Sequence, residues 1–356
     1  MSSQFKIGKR IISKDKPVFI IAEMSGNHNH DYERAIKIID AAAEAGADAI
    51  KLQTYTPDTM TINSNQKWFK VKTDNLWAGK TLYDLYKWAY TPWEWQPKLK
   101  KYAESKGLIF FSTPFDETAV DFLEKMKVLV YKVASFELPD IGLLKKIAKT
   151  KKPVIISRGL ASLEEIKLAI KILKENGTPA VAVLHCVSSY PATPNQMNLA
   201  TISDISKRFK VISGLSDHSL GTTSSVAGVA LDARIIEKHL TLKRSEGGPD
   251  AEFSLEPEEF KQLVKSVREV EKAIGRPCYR LSSREKQNMV FRRSLFVVKD
   301  MKKGEVFSKY NVRSIRPGYG LTPKYMENIL GCYAKSNIKS GTPLSWKFIS
   351  NNFSNN

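Results

Sequence analysis

Between residues 17 and 275, eight short and almost continuously apolar runs alternate with amphipathic stretches, and this alternation constrains the fold more than any other feature of the chain. The runs are VFIIAEM (18–24), AIKLQTY (49–55), LIFFSTP (108–114), LVYKVAS (129–135), PVIISRG (153–159), VAVLHCV (181–187), VISGLSD (211–217) and ARIIEKHL (233–240). Rich in Val, Ile and Phe, they read as parallel strands covered on both faces. YERAIKIIDAAAEAGA, SLEEIKLAIKILKENG and EPEEFKQLVKSVREVEKAIG carry helical spacing, and each has a glycine suited to a helix end. Ser162 and Glu165 have capping-box spacing. Eight strand–helix units in about 260 residues predict an α/β chain with a (β/α)8 TIM barrel. A doubly wound open sheet competes with it, but no GxGxxG follows the first strand.

Two connections are long. Thr56 to Pro92 carries Trp68, Trp77 and Trp88, and a loop of that length is usually a lid or an extra packed excursion. Leu242 to Pro257 is polar and contains GGPD. Past Gly275 the texture changes. Residues 276–290 read as a linker, and 291–356 as a small β-rich domain after the 1–275 barrel.

No apolar run approaches the roughly 20 residues that span a bilayer. The N-terminus MSSQFKIGKRIISKDK lacks an apolar signal core. Three scattered cysteines, Cys186, Cys278 and Cys332, suit a reducing cytoplasm rather than a disulfide scaffold or zinc knuckle. Of the net charge of +19, twelve units fall in residues 276–356, where 16 basic residues face 4 acidic ones. That basic region has three readings: a nucleic-acid-binding module, a device attracting an anionic small substrate, or a plain lysine-rich surface.

Active sites of barrels form at the C-terminal ends of the strands. Those ends are polar in this chain: Glu23; Lys51 and Gln53; Ser112 and Thr113; Lys132, Ser135 and Glu137; Ser157 and Arg158; His185, Ser188 and Tyr190; Ser216, Asp217 and His218; Glu237 and His239. Residues two apart share a strand face, so Lys51 joins Gln53, Ser216 joins His218 and Glu237 joins His239. A lysine in an apolar strand is costly unless a charge meets it. One such lysine is most often paired structurally; two at matching positions suggest an anion at the barrel mouth, with Thr113, Ser135, Ser157 and Ser216 completing a cradle. His218 and His239 end neighbouring strands, and with Glu23 next door they are candidates for a divalent-metal site, or for structural histidines. His28 and His30 read as loop surface or mouth lining, His185 as buried and hydrogen-bonded, and Cys186 as core. No nucleophile triad is visible. Lys51 or Lys132 could alternatively form an imine with pyruvate.

Taken together, FIIAEMSGNHN, GADAIKLQTYTPD, IFFSTPF, VYKVASFE, PVIISRG, LHCVSSYP, GLSDHSLG, IIEKHLTL and GGPDAEFSLEP resemble the sialic acid synthase family over almost the whole chain. SLFVVKDMKKGEVFSKYNVRSIRPGYG resembles that family's C-terminal antifreeze-like (SAF) domain. The resemblance implies condensation of phosphoenolpyruvate with the open-chain aldehyde of an N-acylated amino sugar. Carried over, it assigns phosphoenolpyruvate to Lys51, Thr113, Lys132, Ser135, Ser157, Ser188 and Ser216. It assigns the sugar to Gln53, Glu137, Tyr190, Asp250 and Arg316, and manganese or magnesium to His218 and His239. The catalytic positions are Glu23, Lys51, Lys132, Glu137, His218 and His239. Arg316 matches an arginine lent by the neighbouring subunit, implying a domain-swapped homodimer with neither nucleic-acid nor membrane partner. Ser188 stands where the neuraminic branch usually has Asn, and Arg158 where it has Thr or a small residue. QTYTPDTMT, ASFE and RPGYGLTPK are closer to the pseudaminic branch, implying a 2,4-diacetamido-2,4,6-trideoxy-L-altrose sugar, whereas GGPD resembles the neuraminic and legionaminic branches.

Overall fold

The computed structural model describes residues 4–72 and 79–351; Trp77, within the long connection after the second strand, lies outside them. Eight parallel strands close a barrel: β1 (Phe19–Glu23), β2 (Ala49–Thr54), β3 (Ile109–Pro114), β4 (Tyr131–Val133), β5 (Val154–Ser157), β6 (Val181–Cys186), β7 (Ile212–Asp217) and β8 (Ile235–His239). Each pairs with its neighbours in chain order, and β8 closes on β1 with His239 opposite Glu23. All eight apolar runs are therefore strands. The fourth is shorter than its run, because the chain leaves the sheet at Ala134 and turns.

Period-two alternation sorts the side chains. Ile20, Ala22, Ile50, Leu52, Phe110, Val133 and Val183 point outward into the core shared with the surrounding helices. Phe19, Ile21, Ala49, Phe111, Val130, Ile155, Ala182, Leu184, Ile212 and Ile235 fill the inside. An N-terminal hairpin, Phe5–Ile7 with Arg10–Ile12, adds Phe5, Ile7 and Ile12 to this inner cluster. The same parity continued toward the strand ends brings Glu23, Lys51, Gln53, Thr113, Lys132, Ser157, Cys186, Ser216, Glu237 and His239 inward. The interior thus changes from hydrocarbon to charge along its axis.

The three helices anticipated from their spacing form as Tyr32–Glu44, Leu163–Glu175 and Pro257–Ile274. Ser162 and Glu165 form a reciprocal capping box, which satisfies amide hydrogens that the first turn leaves unpaired. Among the described residues, the connection after β2 contains helices Pro57–Met60 and Leu82–Ala89.

The chain divides into two compact units, 1–275 and 276–356. In the second, β9 (Ser294–Val297) pairs antiparallel with β10 (Val312–Ile315), and β11 (Tyr333–Ala334) with β12 (Ile349–Ser350). Leu295, Val297, Phe307, Val312, Ile329 and Leu344 form its core. The segment read as a linker contains a short helix, Ser283–Gln287, whose capping box is Ser282 with Glu285.

Candidate active site

A cavity of about 320 Å³ opens at the C-terminal ends of the barrel strands. Glu23, Lys51, Gln53, Ser135, Glu137, Ser157, Tyr190, Ser216, His218, His239 and Asp250 line it. Lys132 and Thr113 are buried beside these groups, and the Ser188 hydroxyl lies 3.0 Å from that of Ser135. Gly159 explains how those two serines come together: at φ +30°, a Cβ on it would sit 2.2 Å from the Ser135 Cβ and 2.7 Å from the Ser188 Oγ. Arg316 is exposed in the second unit, just past β10.

The floor of the cavity is a charge network. Lys51 Nζ lies 2.8 Å from Glu23 Oε2 and 3.8 Å from Glu237 Oε2, and it donates to Thr113 Oγ1 at 3.2 Å. Lys132 Nζ is 3.5 Å from Glu237 Oε1, which also accepts from the Ser216 hydroxyl at 2.9 Å. Burial pushes the Glu23 carboxyl up despite Lys51 beside it. Glu237 goes the other way: its burial is outweighed by Lys132, Lys51 and the Ser216 hydroxyl, which hold it below the usual range. Burial is also the main cause holding Lys132 below its ordinary value, with the Lys51 ammonium adding to it. When Glu23, which burial raises to about 7, takes up its proton, two ammonium groups face one carboxylate, and an incoming anion would relieve that excess.

The Glu23 carboxyl turns to Lys51 at 2.8 Å rather than to the histidines, and the carboxylate within 4 Å of His239 is Asp250, whose Oδ2 is 3.8 Å from Nδ1. Among the described residues no group of three or more His, Cys, Asp and Glu is placed to hold a metal ion. The two imidazoles suit a metal as a pair, a cation displacing the proton that, despite burial, Cys186 and the Val187 carbonyl favour on His218. Their ring centroids are 5.4 Å apart. His218 Nδ1 lies 3.0 Å from the Val187 carbonyl, which orients the ring and leaves Nε2 for a ligand. His239 Nδ1 is buried without a hydrogen-bond partner, and burial keeps this imidazole neutral, the form a cation binds. Behind them, Lys238 and Asp217 form a fully buried cross-strand pair at 3.2 Å, joining the two strands that carry the histidines.

Some readings change. Cys186 is not only a core residue: it lines the cavity, with Sγ 3.7 Å from His218 Nδ1. His28 is buried away from the cavity lining, 2.9 Å from Thr91 Oγ1. Arg158 donates from Nε to His185 Nδ1 at 3.1 Å, and His185 Nε2 meets the Met197 carbonyl at 2.5 Å, so both serve the wall behind the serine cradle. Ser25 and Tyr55 also line the cavity and were not among the candidates, and Glu237, named at the end of the eighth strand, was given no role. Glu237 had a legible signal, since it shares a strand face with His239. Ser25 lies past a strand end, where periodicity stops; it joins Gln53 Nε2 at 2.9 Å to Asp250 Oδ2.

Burial also raises Glu137, to about 7, and its Oε2 has no hydrogen-bond partner. The folded state then holds this proton more tightly than the unfolded chain, so its contribution to stability is present below pH 4.5 and is lost as pH rises through about 7. Glu137→Gln should unfold near the wild-type temperature at pH 5 and several degrees above it at pH 8, a gain of at most about 3 kcal/mol. Thermal scans at both pH values test this; a pH-independent difference would count against a raised carboxyl.

Residues 38–279 match the NeuB family and residues 292–350 the SAF domain. The chain belongs to the NeuB family. Among its relatives is the pseudaminic acid synthase of Campylobacter jejuni, 46% identical over 330 residues that cover 93% of this chain and 96% of that protein. The pseudaminic acid synthase of Helicobacter pylori is 39% identical, covering 93% and 97%. In three dimensions this NeuB-family chain resembles the N-acetylneuraminic acid synthetase of Leptospira borgpetersenii at TM-score 0.72 and 35% identity, covering 81% of this chain and 96% of that one.

Proposed function

We propose that the chain is a pseudaminic acid synthase, condensing phosphoenolpyruvate with 2,4-diacetamido-2,4,6-trideoxy-L-altrose to give pseudaminic acid and phosphate. The observation that carries this reading is the 46% identity to the Campylobacter jejuni enzyme over nearly its whole length. The buried two-lysine network gives it a chemical basis, because a phosphorylated carboxylate is an anion of the kind that network would bind.

Lys51 and Lys132 would meet the negative charge of phosphoenolpyruvate, with the hydroxyls of Thr113, Ser135, Ser157, Ser188 and Ser216 supplying the remaining donors. C3 of phosphoenolpyruvate forms the new bond to the sugar aldehyde carbon, water adds at C2, and phosphate departs by C–O cleavage. A divalent metal, manganese or magnesium, held by His218 and His239 would polarise the aldehyde oxygen. Glu23, held near neutral pH by burial, is suited to exchanging a proton with the water at C2. Gln53, Tyr190, Asp250 and Glu137 would orient the sugar. Arg316 would come from the second subunit of a domain-swapped homodimer, which gives the basic C-terminal unit a role with an anionic ligand. The reaction would draw on the cytoplasm, where phosphoenolpyruvate is produced.

Phosphate release with manganese present tests the reading, with the diacetamido-altrose sugar and N-acetylmannosamine run side by side. Release with the first alone is expected. Release with N-acetylmannosamine alone would move the chain to the neuraminic branch.

A further inference from the structure

We propose that helix Leu82–Ala89 together with Met60, between β2 and β3, reads the end of the sugar remote from the aldehyde, and selects a methyl group at C6 over a hydroxymethyl group. This rests on the reading of the chain as a synthase of diacetamido nonulosonic acids.

In helix Leu82–Ala89, the residues Leu82, Leu85, Tyr86 and Ala89 all line the cavity. Their spacing is i, i+3, i+4 and i+7, one stripe of a helix that is apolar apart from the Tyr86 hydroxyl. Such a stripe normally packs into a protein core; this one forms a wall of the cavity, extended by Met60. The wall is anchored. Thr81 caps the helix through its bond from the Asp84 amide, and the Tyr86 ring stands edge-on to Tyr55 at 5.7 Å. Beyond the helix, Tyr90 meets His30 at 5.0 Å and Thr91 bonds His28. That anchoring gives the two histidines after β1 a function.

The reacting aldehyde must lie by the lysines and the imidazole pair on the strand ends. The wall belongs to none of these strands, so the remaining carbons of an open-chain sugar extend along it. A hydroxyl pressed against Leu82, Leu85 and Met60 loses water and finds no donor and only the weak thioether acceptor of Met60 on those side chains. A C6 methyl loses nothing there and gains contact.

The test measures kcat/KM for 2,4-diacetamido-2,4,6-trideoxy-L-altrose and for its 6-hydroxy counterpart, in the wild type, Leu82→Gln and Met60→Gln. The wild type should prefer the 6-deoxy sugar by ~100-fold. Both variants should fall below ~10-fold with the KM for phosphoenolpyruvate unchanged. Equal use of the two sugars by the wild type overturns the proposal, as does an undiminished preference in either variant that keeps the wild-type unfolding temperature. N-acetylmannosamine and its 6-deoxy counterpart are assayed in parallel. Turnover confined to that pair would reject the altrose substrate, while the preference within the pair would still decide what the wall selects.

Discussion

Lys51→Met should lower phosphate release by about 10³-fold. Lys51 is the residue on which the charge network converges, touching Glu23, Glu237 and the Thr113 hydroxyl at once. Methionine nearly preserves the side-chain volume, so the cavity term is small and the loss is one of charge. Without the ammonium, the excess positive charge that would receive an anion disappears, and the two buried carboxyl groups of Glu23 and Glu237 are left with one remaining lysine between them. Removing one partner of a buried pair typically costs about 3–5 kcal/mol, and the orphaned carboxyls respond by taking up protons. The folded variant then binds more protons than its unfolded chain, so its stability falls as pH rises. Its deficit in unfolding temperature should be larger at pH 8 than at pH 5. A steady-state assay and thermal scans at both pH values check the two halves. Activity within tenfold of wild type would remove Lys51 from the anion site.

The barrel was legible because one physical rule, burial of strands on both faces, writes itself into eight consecutive segments. The inner polar set was legible for a related reason: parity within a strand carries Lys51 with Gln53 and Glu237 with His239 onto the same face. Applied to the sixth strand, that parity also carries Cys186 inward from Ala182 and Leu184, and the apolar character of cysteine masked it. Parity says nothing beyond a strand end, where Ser25 and the Gly159 turn are set by backbone conformation and close approach. It is equally silent about the excursion after β2. The stripe Leu82, Leu85, Tyr86 and Ala89 has the spacing of an ordinary amphipathic helix, and only the three-dimensional structure reveals that a cavity, not a core, lies against it. Pairing choices were also hidden. Glu23 stands in register with both Lys51 and His239, on the strands to either side, and sequence alone cannot say which one its carboxylate takes. Charge decides: the ammonium at 2.8 Å wins over a neutral imidazole.

His239→Ala should abolish turnover while leaving the metal-free barrel nearly as stable as wild type. The asymmetry follows from the environment of the ring. Its Nδ1 is buried without a hydrogen-bond partner, so the metal-free protein already bears the cost of that orphaned group, and removing it offsets part of the lost packing. What the variant forfeits is half of the imidazole pair. Manganese at 100 times its dissociation constant stabilises a wild-type site by about 2.7 kcal/mol, which for a domain of this size raises the unfolding temperature by about 5 °C or more. In His239→Ala that manganese-dependent rise should vanish, and phosphate release should fall by at least ~10³-fold. Scans with and without manganese separate this from a folding defect, because a merely structural histidine would lower both curves together and keep their separation. A preserved manganese shift in the variant would place the metal away from His218 and His239, and the two imidazoles would then be read as part of the sugar-binding wall.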